Sequence, residues 1–511
     1  MEHKDNNTPG QEPQSSGAPG QGEKGTLRGK VTSGLFWTYA ERILAQGVTA
    51  VVSIVLARLL APDDYGIISI VSIFISICEV FVTSGFGNAL VQKKEADDLD
   101  FSSIFYFSLG IAAVLYAGLF LSAPLIANFY GNGLLGPVIR VLGVRLLLSS
   151  VNSVQRAYVS KRMAFRKFFR ATIFGTVVSA AAGIAMACLG FGVWALVAQY
   201  LTNSLIDTVV LFFSIEWRPK RMFSLERMKG LVSYGWKMLA SSLLEAVYNN
   251  LRSLIIGKKY SEADLAFYDK GKHFPELIVL NINSSISSVI FPAIANVQDD
   301  RERVRQLTRR SIRVGVYLMC PLLLGLATVA EPVVRLLLTD KWLPAVPFLR
   351  IACFNCLLYP IHTANLQPVI ALGRSDIYLR LEIVKKAVGL SVLAASVIFF
   401  DSVLAIAAGT LVFSLMALVI NAWYNRALFG YGLLQELRDI FPTLALGAAM
   451  SGAVYLAGLL PLPLPLLPLL IVQILVGAAF YLGLSRLTRM ESYRYIIDIA
   501  KGYLRRKRER S

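Results

Sequence analysis

Runs of apolar residues recur along this chain, separated by short polar stretches. A hydrocarbon core takes about 20 apolar residues per crossing helix. The pattern predicts fourteen membrane-spanning helices, at 33–57, 66–90, 102–127, 137–155, 171–190, 193–215, 231–256, 277–297, 314–334, 346–372, 381–400, 402–424, 443–460 and 466–485. The fold class is therefore all-α and membrane-embedded. Residues 1–30 break the pattern. They are polar, rich in Gly, Pro and Gln, lack the apolar core of a signal peptide, and predict a disordered tail. Residues 486–511 carry nine bases and predict an amphipathic helix on an anionic membrane surface.

Composition agrees, with 55% hydrophobic residues and a mean hydropathy of +0.57. The net charge of +18 is spread over alternate connections. Segments such as 156–170, 216–229 and 298–313 are strongly basic, whereas those near 128–136, 191–192, 401 and 461–465 hold no Lys or Arg. The positive-inside rule then puts both termini in the cytoplasm. The same distribution speaks against nucleic acid as the partner, because the charge lies on leaflet-facing loops rather than in one patch. The longest outside connection in this reading is 257–276. The chain has no soluble catalytic domain, GxxxxGK[ST] loop or dinucleotide fingerprint, which leaves secondary transport or lipid flipping. Cys353 and Cys356 have CxxC spacing inside an apolar helix, with no second pair, and suggest neither metal nor redox chemistry.

The chain also repeats. SIVLARLLAPDDYGIISIVS (53–72) has the layout of SLIIGKKYSEADLAFYDKG (253–271), and FGNALVQKK (86–94) that of FPAIANVQ (291–298). The offset of about 200 residues equals six spans. An even number keeps both copies in the same direction, so the axis relating them lies along the membrane normal, with a cavity between two lobes. The expected organisation is a tail at 1–30, a first lobe at 31–215, a second at 230–425, extra helices at 443–485, and a basic tail from 486.

ARLLAPDDYG (57–66), LIIGKKYSEADLAFYDKG (254–271), FPAIANVQDD (291–300) and LLLTDKWLPAVPFLRI (336–351) resemble the Wzx-type polysaccharide transporter family of the MOP flippase superfamily, closest to its colanic-acid exporter and lipopolysaccharide biosynthesis branch. The resemblance covers about 30–490. It implies two six-helix lobes in a V, alternating access, and transfer of undecaprenyl-pyrophosphate-linked oligosaccharide to the outer leaflet, without covalent chemistry. Two further C-terminal helices resemble the lipid II flippase in number. The implied partners are a polysaccharide polymerase and glycosyltransferases of the same pathway, and the implied coupling ion is Na+ or H+, with no cofactor.

Charged residues inside spans sharpen the site. An ionised group at mid-bilayer costs upward of about 2.5–3.5 kcal/mol, so it faces a partner or a wet cavity. Span seven carries Lys237, Ser241, Glu245, Tyr248 and Arg252 on one helical face. Span one carries Thr38, Arg42, Gln46, Thr49 and Ser53, with Glu41 beside them. Span two offers Ser69, Ser72, Ser76, Glu79 and Thr83, span eight Asn281, and span ten Arg350, Asn355, Tyr359 and His362. Arginine binds diphosphate oxygens bidentately and keeps its charge. The expected headgroup residues are Arg42, Arg252, Lys237, Arg350, Arg145 and Asn281; Glu41, Glu245, Glu79 and His362 are expected to pair with them or couple an ion. Lys270, Lys272 and His273 are placed at the outer rim, and Arg140 with Arg145 near the outer mouth.

Each residue has a plainer reading, since polar stripes also glue membrane helices together. Two rival functions remain open. A cation/drug antiporter needs a cavity that leans acidic. A lipid-linked-sugar glycosyltransferase or polymerase would use Asp63 and Asp64 with a metal, but these acids equally form a turn and helix cap.

Overall fold

The computed structural model describes residues 44, 46–83, 90, 93, 96–162, 166–461 and 463–508, with no strand among them. The first lobe holds α1 (Gln46–Leu59), α2 (Pro62–Thr83), α3 (Asp98–Tyr130), α4 (Leu135–Leu142), α5 (Arg145–Lys161), α6 (Arg166–Cys188) and α7 (Val193–Ser214). The second holds α8 (Leu225–Lys259), α9 (Glu262–Ala295), α10 (Arg301–Thr328), α11 (Ala330–Leu338), α12 (Val346–Leu357), α13 (Tyr359–Ala371), α14 (Ser375–Phe399) and α15 (Val403–Phe429). Then follow α16 (Leu433–Leu459), α17 (Leu466–Leu487) and an amphipathic α18 (Glu491–Arg508). Among the described residues, eleven segments are long and apolar enough to cross a membrane. This is a multi-pass membrane protein. The described part of α1 is short, and α8 and α14 carry charges, but all three occupy the places expected of spans one, seven and eleven.

Two ends of the bundle differ. At the turn end, short loops join α1 to α2, α8 to α9 and α14 to α15; the basic end carries the longer charged connections. Span eight departs most from expectation. The stretch 257–276 is not a loop: α9 begins at Glu262 and runs 34 residues. Its start is fixed by a capping box, in which the Asp264 amide donates to Ser261 Oγ at 3.1 Å and the Ser261 amide donates to Asp264 Oδ2 at 3.3 Å. The first copy does the same at the same offset, since the Ala61 amide donates to Asp64 Oδ2 at 3.1 Å. Asp63 and Asp64 sit in the first turn of α2, as a cap requires. Hydropathy misplaces the start because α9 spends its charges on a polar interior. Spans four and ten are also broken, the first between α4 and α5, the second between α12 and α13 at Leu358.

The lobes meet at the turn end. Gly66 of α2 lies so close to α9 that a Cβ there would sit 2.0 Å from the Glu262 carbonyl oxygen. Trp342, fully buried, donates its indole N–H to the Ala57 carbonyl at 2.8 Å, and Lys341 Nζ donates to the Arg58 and Leu60 carbonyls, each at 2.7 Å. The orphan carbonyls at the end of α1 are thus satisfied by the other lobe. Arg58 returns the contact, donating to the Leu337 carbonyl at 2.9 Å and to that of Leu336. Lys258, two hundred residues on, donates to the Phe129 carbonyl at the end of α3.

At the basic end α8 begins on the first lobe. It packs on α2 and α3 more extensively than on α9. Arg227 donates to Asp97 Oδ2 at 2.6 Å, and the Ser224 amide donates to Ser103 Oγ at 3.0 Å. The Asp97 carboxyl is held down at about 2 by the Asp100 amide first and Arg227 after it. The α18 helix packs on α10, with Arg310 over the Tyr495 ring at 4.3 Å and Arg313 paired to Glu491.

Replacing Gly66 with Ala forces the two helix starts apart. We expect about 1–3 kcal/mol of destabilisation, as for an overpacked contact, read as a lower Tm of the detergent-solubilised protein. Gly118→Ala, where nothing lies within 4 Å of an added Cβ, should leave Tm unchanged.

Candidate functional site

A cavity of about 640 Å³ opens in the second lobe between α8, α9, α12, α13, α14 and α15. A second, of about 470 Å³, lies between the lobes against α1, α2 and α7. Asn250, Lys272 and Glu276 line both, so the two are one polar interior. Lys272 stands ten residues into α9, hence about 15 Å from the turn end. That is mid-membrane for a hydrocarbon core about 30 Å thick.

Its charges are mostly paired. Lys386 donates to Glu245 Oε2 at 2.9 Å, Lys385 to Glu382 Oε1 at 2.5 Å, and Lys272 lies 2.8 Å from Asp269. Arg252 is different. Among the described residues no carboxylate lies within 4.0 Å of its guanidinium. It sits over the Tyr248 and Phe413 rings instead, 5.7 and 6.0 Å from their centroids. Tyr248 can approach α14 because Gly389 has no side chain; a Cβ there would meet the phenolic oxygen at 2.0 Å. Tyr268, Phe348 and Tyr359 complete an aromatic wall. A guanidinium with free donors in a polar, aromatic-walled interior can take an anion and stack or hydrogen-bond sugar rings.

The predicted residues separate. Arg252, Glu245 and His362 come together in the larger cavity. Glu245 also accepts from Asn249 at 3.1 Å, so its partners are Lys386 and an amide rather than an arginine. His362 Nε2 lies 3.1 Å from Ser414 Oγ, and Asn421 Nδ2 lies 3.5 Å from its Nδ1. Arg145 and Glu79 pair at 3.1 Å in a separate cavity of about 470 Å³ inside the first lobe. There Arg156 binds Asp207 at 2.6 Å, and Asn152 donates to the same carboxylate at 3.2 Å. Arg140 stacks on Phe120 at 4.7 Å. Arg350 is exposed and donates to the Ala327 carbonyl at 3.3 Å, away from either cavity. Arg42 and Glu41 lie outside the described residues, as do the side chains of Lys237 and Asn281.

Lys270, Lys272 and His273 are not on an outer rim, because α9 carries them into the interior. Lys270 Nζ donates to Ser53 Oγ at 2.9 Å and lies 4.2 Å from the Tyr65 ring centroid, bridging the lobes. Sequence reasoning missed Asp269, Glu276, Glu382, Lys385 and Lys386. Two signals were available. The 200-residue offset carries the start of α2 at Pro62 onto 262, and Glu382 and Lys385 stand three apart on one face of α14.

The profile of the family described as polysaccharide biosynthesis protein matches residues 55–347. The chain belongs to this family. It is 25% identical over 325 residues to the succinoglycan biosynthesis transport protein ExoT of Rhizobium meliloti, covering 64% of this chain and 66% of that one. It is 25% identical over 368 residues to the lipopolysaccharide biosynthesis protein WzxC of Escherichia coli, 70% and 74% of the two chains. The teichuronic acid biosynthesis protein TuaB of Bacillus subtilis matches at 24% over 379 residues, 73% and 77%. Family members are transporters rather than enzymes. Among solved structures, the lipid II flippase MurJ in an inward closed conformation superposes with a TM-score of 0.71 at 14% identity, over 91% of this chain and all of that one. An inward-facing MATE multidrug transporter of the MOP superfamily gives 0.57 at 15% identity, over 75% and 94%. These fix the fold, with two lobes as the internal repeat requires.

Arg252→Ala should weaken binding of a short-chain polyprenyl diphosphate to the purified protein by roughly 10- to 100-fold, the worth of a charge-assisted contact of about 1.5–3 kcal/mol. Arg252→Lys should recover part of it and Arg350→Ala should change nothing; titration calorimetry separates the three.

Proposed function

We propose that this protein flips an undecaprenyl-pyrophosphate-linked oligosaccharide from the cytoplasmic to the outer leaflet of a bacterial inner membrane, supplying exopolysaccharide, capsule or O-antigen assembly. One observation carries the reading: Arg252, with no carboxylate partner, inside a mid-membrane cavity whose other cations are largely neutralised and whose wall is aromatic. The guanidinium takes the diphosphate. Tyr248, Tyr268, Tyr359 and the amides of Asn249, Asn250 and Asn355 take the sugars. The polyprenyl tail stays in lipid at the gap between lobes, so only the headgroup needs the polar interior.

With the basic end in the cytoplasm, both termini are cytoplasmic and the turn end faces outward. Apart from Arg227 with Asp97 at the start of α8, the hydrogen bonds between described residues of the two lobes lie in the turn-end half: Arg58, Lys258, Lys341, Trp342, the Lys270–Ser53 bond, and Asn132 with Glu262 at 3.2 Å. These bonds support a shut outer gate, which suits loading from the cytoplasmic leaflet. Alternating access follows when these bonds break and the lobes rock, with an H+ or Na+ gradient resetting the cycle. The polymerase and glycosyltransferases of the pathway would act on either side of this step. The relatives named for succinoglycan and lipopolysaccharide biosynthesis support the reading.

The test is the lipid-linked sugar pool of a deletion strain. Undecaprenyl-diphosphate oligosaccharide should accumulate in the inner leaflet, clear on complementation with wild type, and persist with Arg252→Ala. Clearance by the variant removes the arginine from the mechanism. Polymer made without accumulation, together with altered sensitivity to cationic drugs, favours an antiporter instead.

A further inference from the structure

A buried polar ladder leaves the floor of the larger cavity and runs toward the basic end. It starts at Ser414 and His362. Asn421, within 3.5 Å of the imidazole, stands one turn above Asn425 on α15. Asn425 Nδ2 donates to the Asn365 carbonyl at 3.2 Å, and Asn365 Nδ2 donates to Glu436 Oε2 at 3.2 Å. Asn421, Asn425, Asn365 and Glu436 are at most 2% exposed. Each also has a side-chain oxygen with no hydrogen-bond partner, Glu436 Oε1 among them. Buried polar atoms of folded proteins are nearly always paired, so four orphans in one column call for an explanation.

The two carboxyls at the start of α16 make the contrast. Asp439 receives Arg309 through two bonds of 2.6 and 2.7 Å, Arg313 at 2.5 Å and the Tyr431 hydroxyl at 2.9 Å. It is fully neutralised and borders a cavity of about 450 Å³ at the basic end, with Arg438 and Glu491. Glu436, one turn earlier, is wholly buried, accepts a single hydrogen bond, and has no base within 4.0 Å among the described residues. The charged groups packed around this corner are Arg309 and Arg313 from α10, Asp439 and Arg438 from α16, and Glu491 from α18, with the neutral Tyr431 hydroxyl from the loop. Arg309 and Arg313 are spent on Asp439 and Glu491, and Arg438 is exposed at the basic-end cavity. From α13 the titratable group is His362, one turn above Asn365, with Lys385 of α14 near it, and α15 presents the Ser414 hydroxyl and the amides of Asn421 and Asn425 to the ladder. An ionised carboxylate in that position is an uncompensated buried charge, which a bound proton removes.

We propose that Glu436 takes up and releases one proton during the transport cycle, and that the amide ladder links it to His362 at the substrate cavity. The step is a simple transfer: an O–H bond of a hydronium ion breaks, one forms on Glu436, and the carboxylate charge disappears. The basic-end cavity beside Asp439 supplies one route, and the ladder from the substrate cavity the other. Glu436 thus lies between the two polar compartments that alternating access exposes in turn. The proposal rests on the transport reading for its role in the cycle, and on the geometry alone for the proton.

The experiment is infrared difference spectroscopy of the full-length protein in lipid nanodiscs, titrated from alkaline to acidic buffer. The wild type should gain the C=O band of a protonated carboxylic acid. Asp439→Asn should keep it and Glu436→Gln should lose it. A band that does not respond to pH in the wild type, or that survives Glu436→Gln, overturns the assignment. Should Glu436→Gln not fold, Asn365→Ala removes the one donor to Glu436 among the described residues and must move the midpoint of the band; an unmoved midpoint also overturns it. In proteoliposomes a pH gradient should speed headgroup transfer by the wild type and lose that effect in Glu436→Gln. Failure of the wild type to transfer a lipid-linked oligosaccharide would remove the transport reading while leaving the infrared result standing.

Discussion

Charge inside a hydrocarbon layer is the constraint on which the rest of the structure depends. The helices α8, α9 and α14 together bring Glu245, Arg252, Asp269, Lys270, Lys272, Glu276, Glu382, Lys385 and Lys386 into the membrane. None of these can face lipid without a cost of kcal/mol each. They are tolerated because the helices turn those faces toward one another and leave aliphatic faces for the bilayer. Exposed Leu390, Ile398 and Phe399 on α14 show the second half of that division. The polar interior is therefore not carved out of a packed bundle. It is what lets three such charged helices lie in the membrane.

The repeat fixes how the lobes close on each other. Arg58 and Lys258 are equivalent positions, and each ends the first helix of its copy. Each donates to backbone carbonyls of the opposite lobe, Arg58 to α11 and Lys258 to α3. A helix C-terminus offers carbonyls with no partner of their own and a partial negative charge, so a cation from elsewhere is a favourable cap. Because the copies are related by an axis along the membrane normal, one such rule applied twice gives a reciprocal clasp. The same economy appears in the paired helix starts, Ala61 with Asp64 and Ser261 with Asp264.

The helical class, the span order and the polar, inward-facing positions of Arg252, Glu245 and His362 were legible in the sequence. They follow from apolar periodicity and helical phase, which are local properties. The start of α9 was not read correctly, because six charged residues between 262 and 276 look like a loop to hydropathy; the repeat offset and the Ser261-to-Asp264 spacing carried the opposite and better signal. Arg350 and Arg145 show the limit of phase. Both are basic residues in a span, yet one lies on the outer surface and the other is tied to Glu79 in the first lobe. Which neighbour a helix face meets depends on long-range packing, such as the break between α4 and α5, and that is absent from any single segment. The Lys386–Glu245 pair likewise joins residues 141 positions apart.

The contact between Gly66 and the Glu262 carbonyl is backbone against backbone, and such a contact cannot yield as side chains can. Rigid lobes that touch there can rotate about it but cannot slide together. If the lobes rock, this contact would be a natural fulcrum, and its place near the turn end would make the two lever arms unequal. Over a core about 30 Å thick, a rotation of about 10° moves the far, basic end by roughly 5 Å while the near end shifts by far less. A bulky headgroup is admitted by a small tilt on the long arm; on the short arm the same tilt gives a narrow opening. The position of a single close backbone contact would thus give the two mouths of such a rocking pair different gauges.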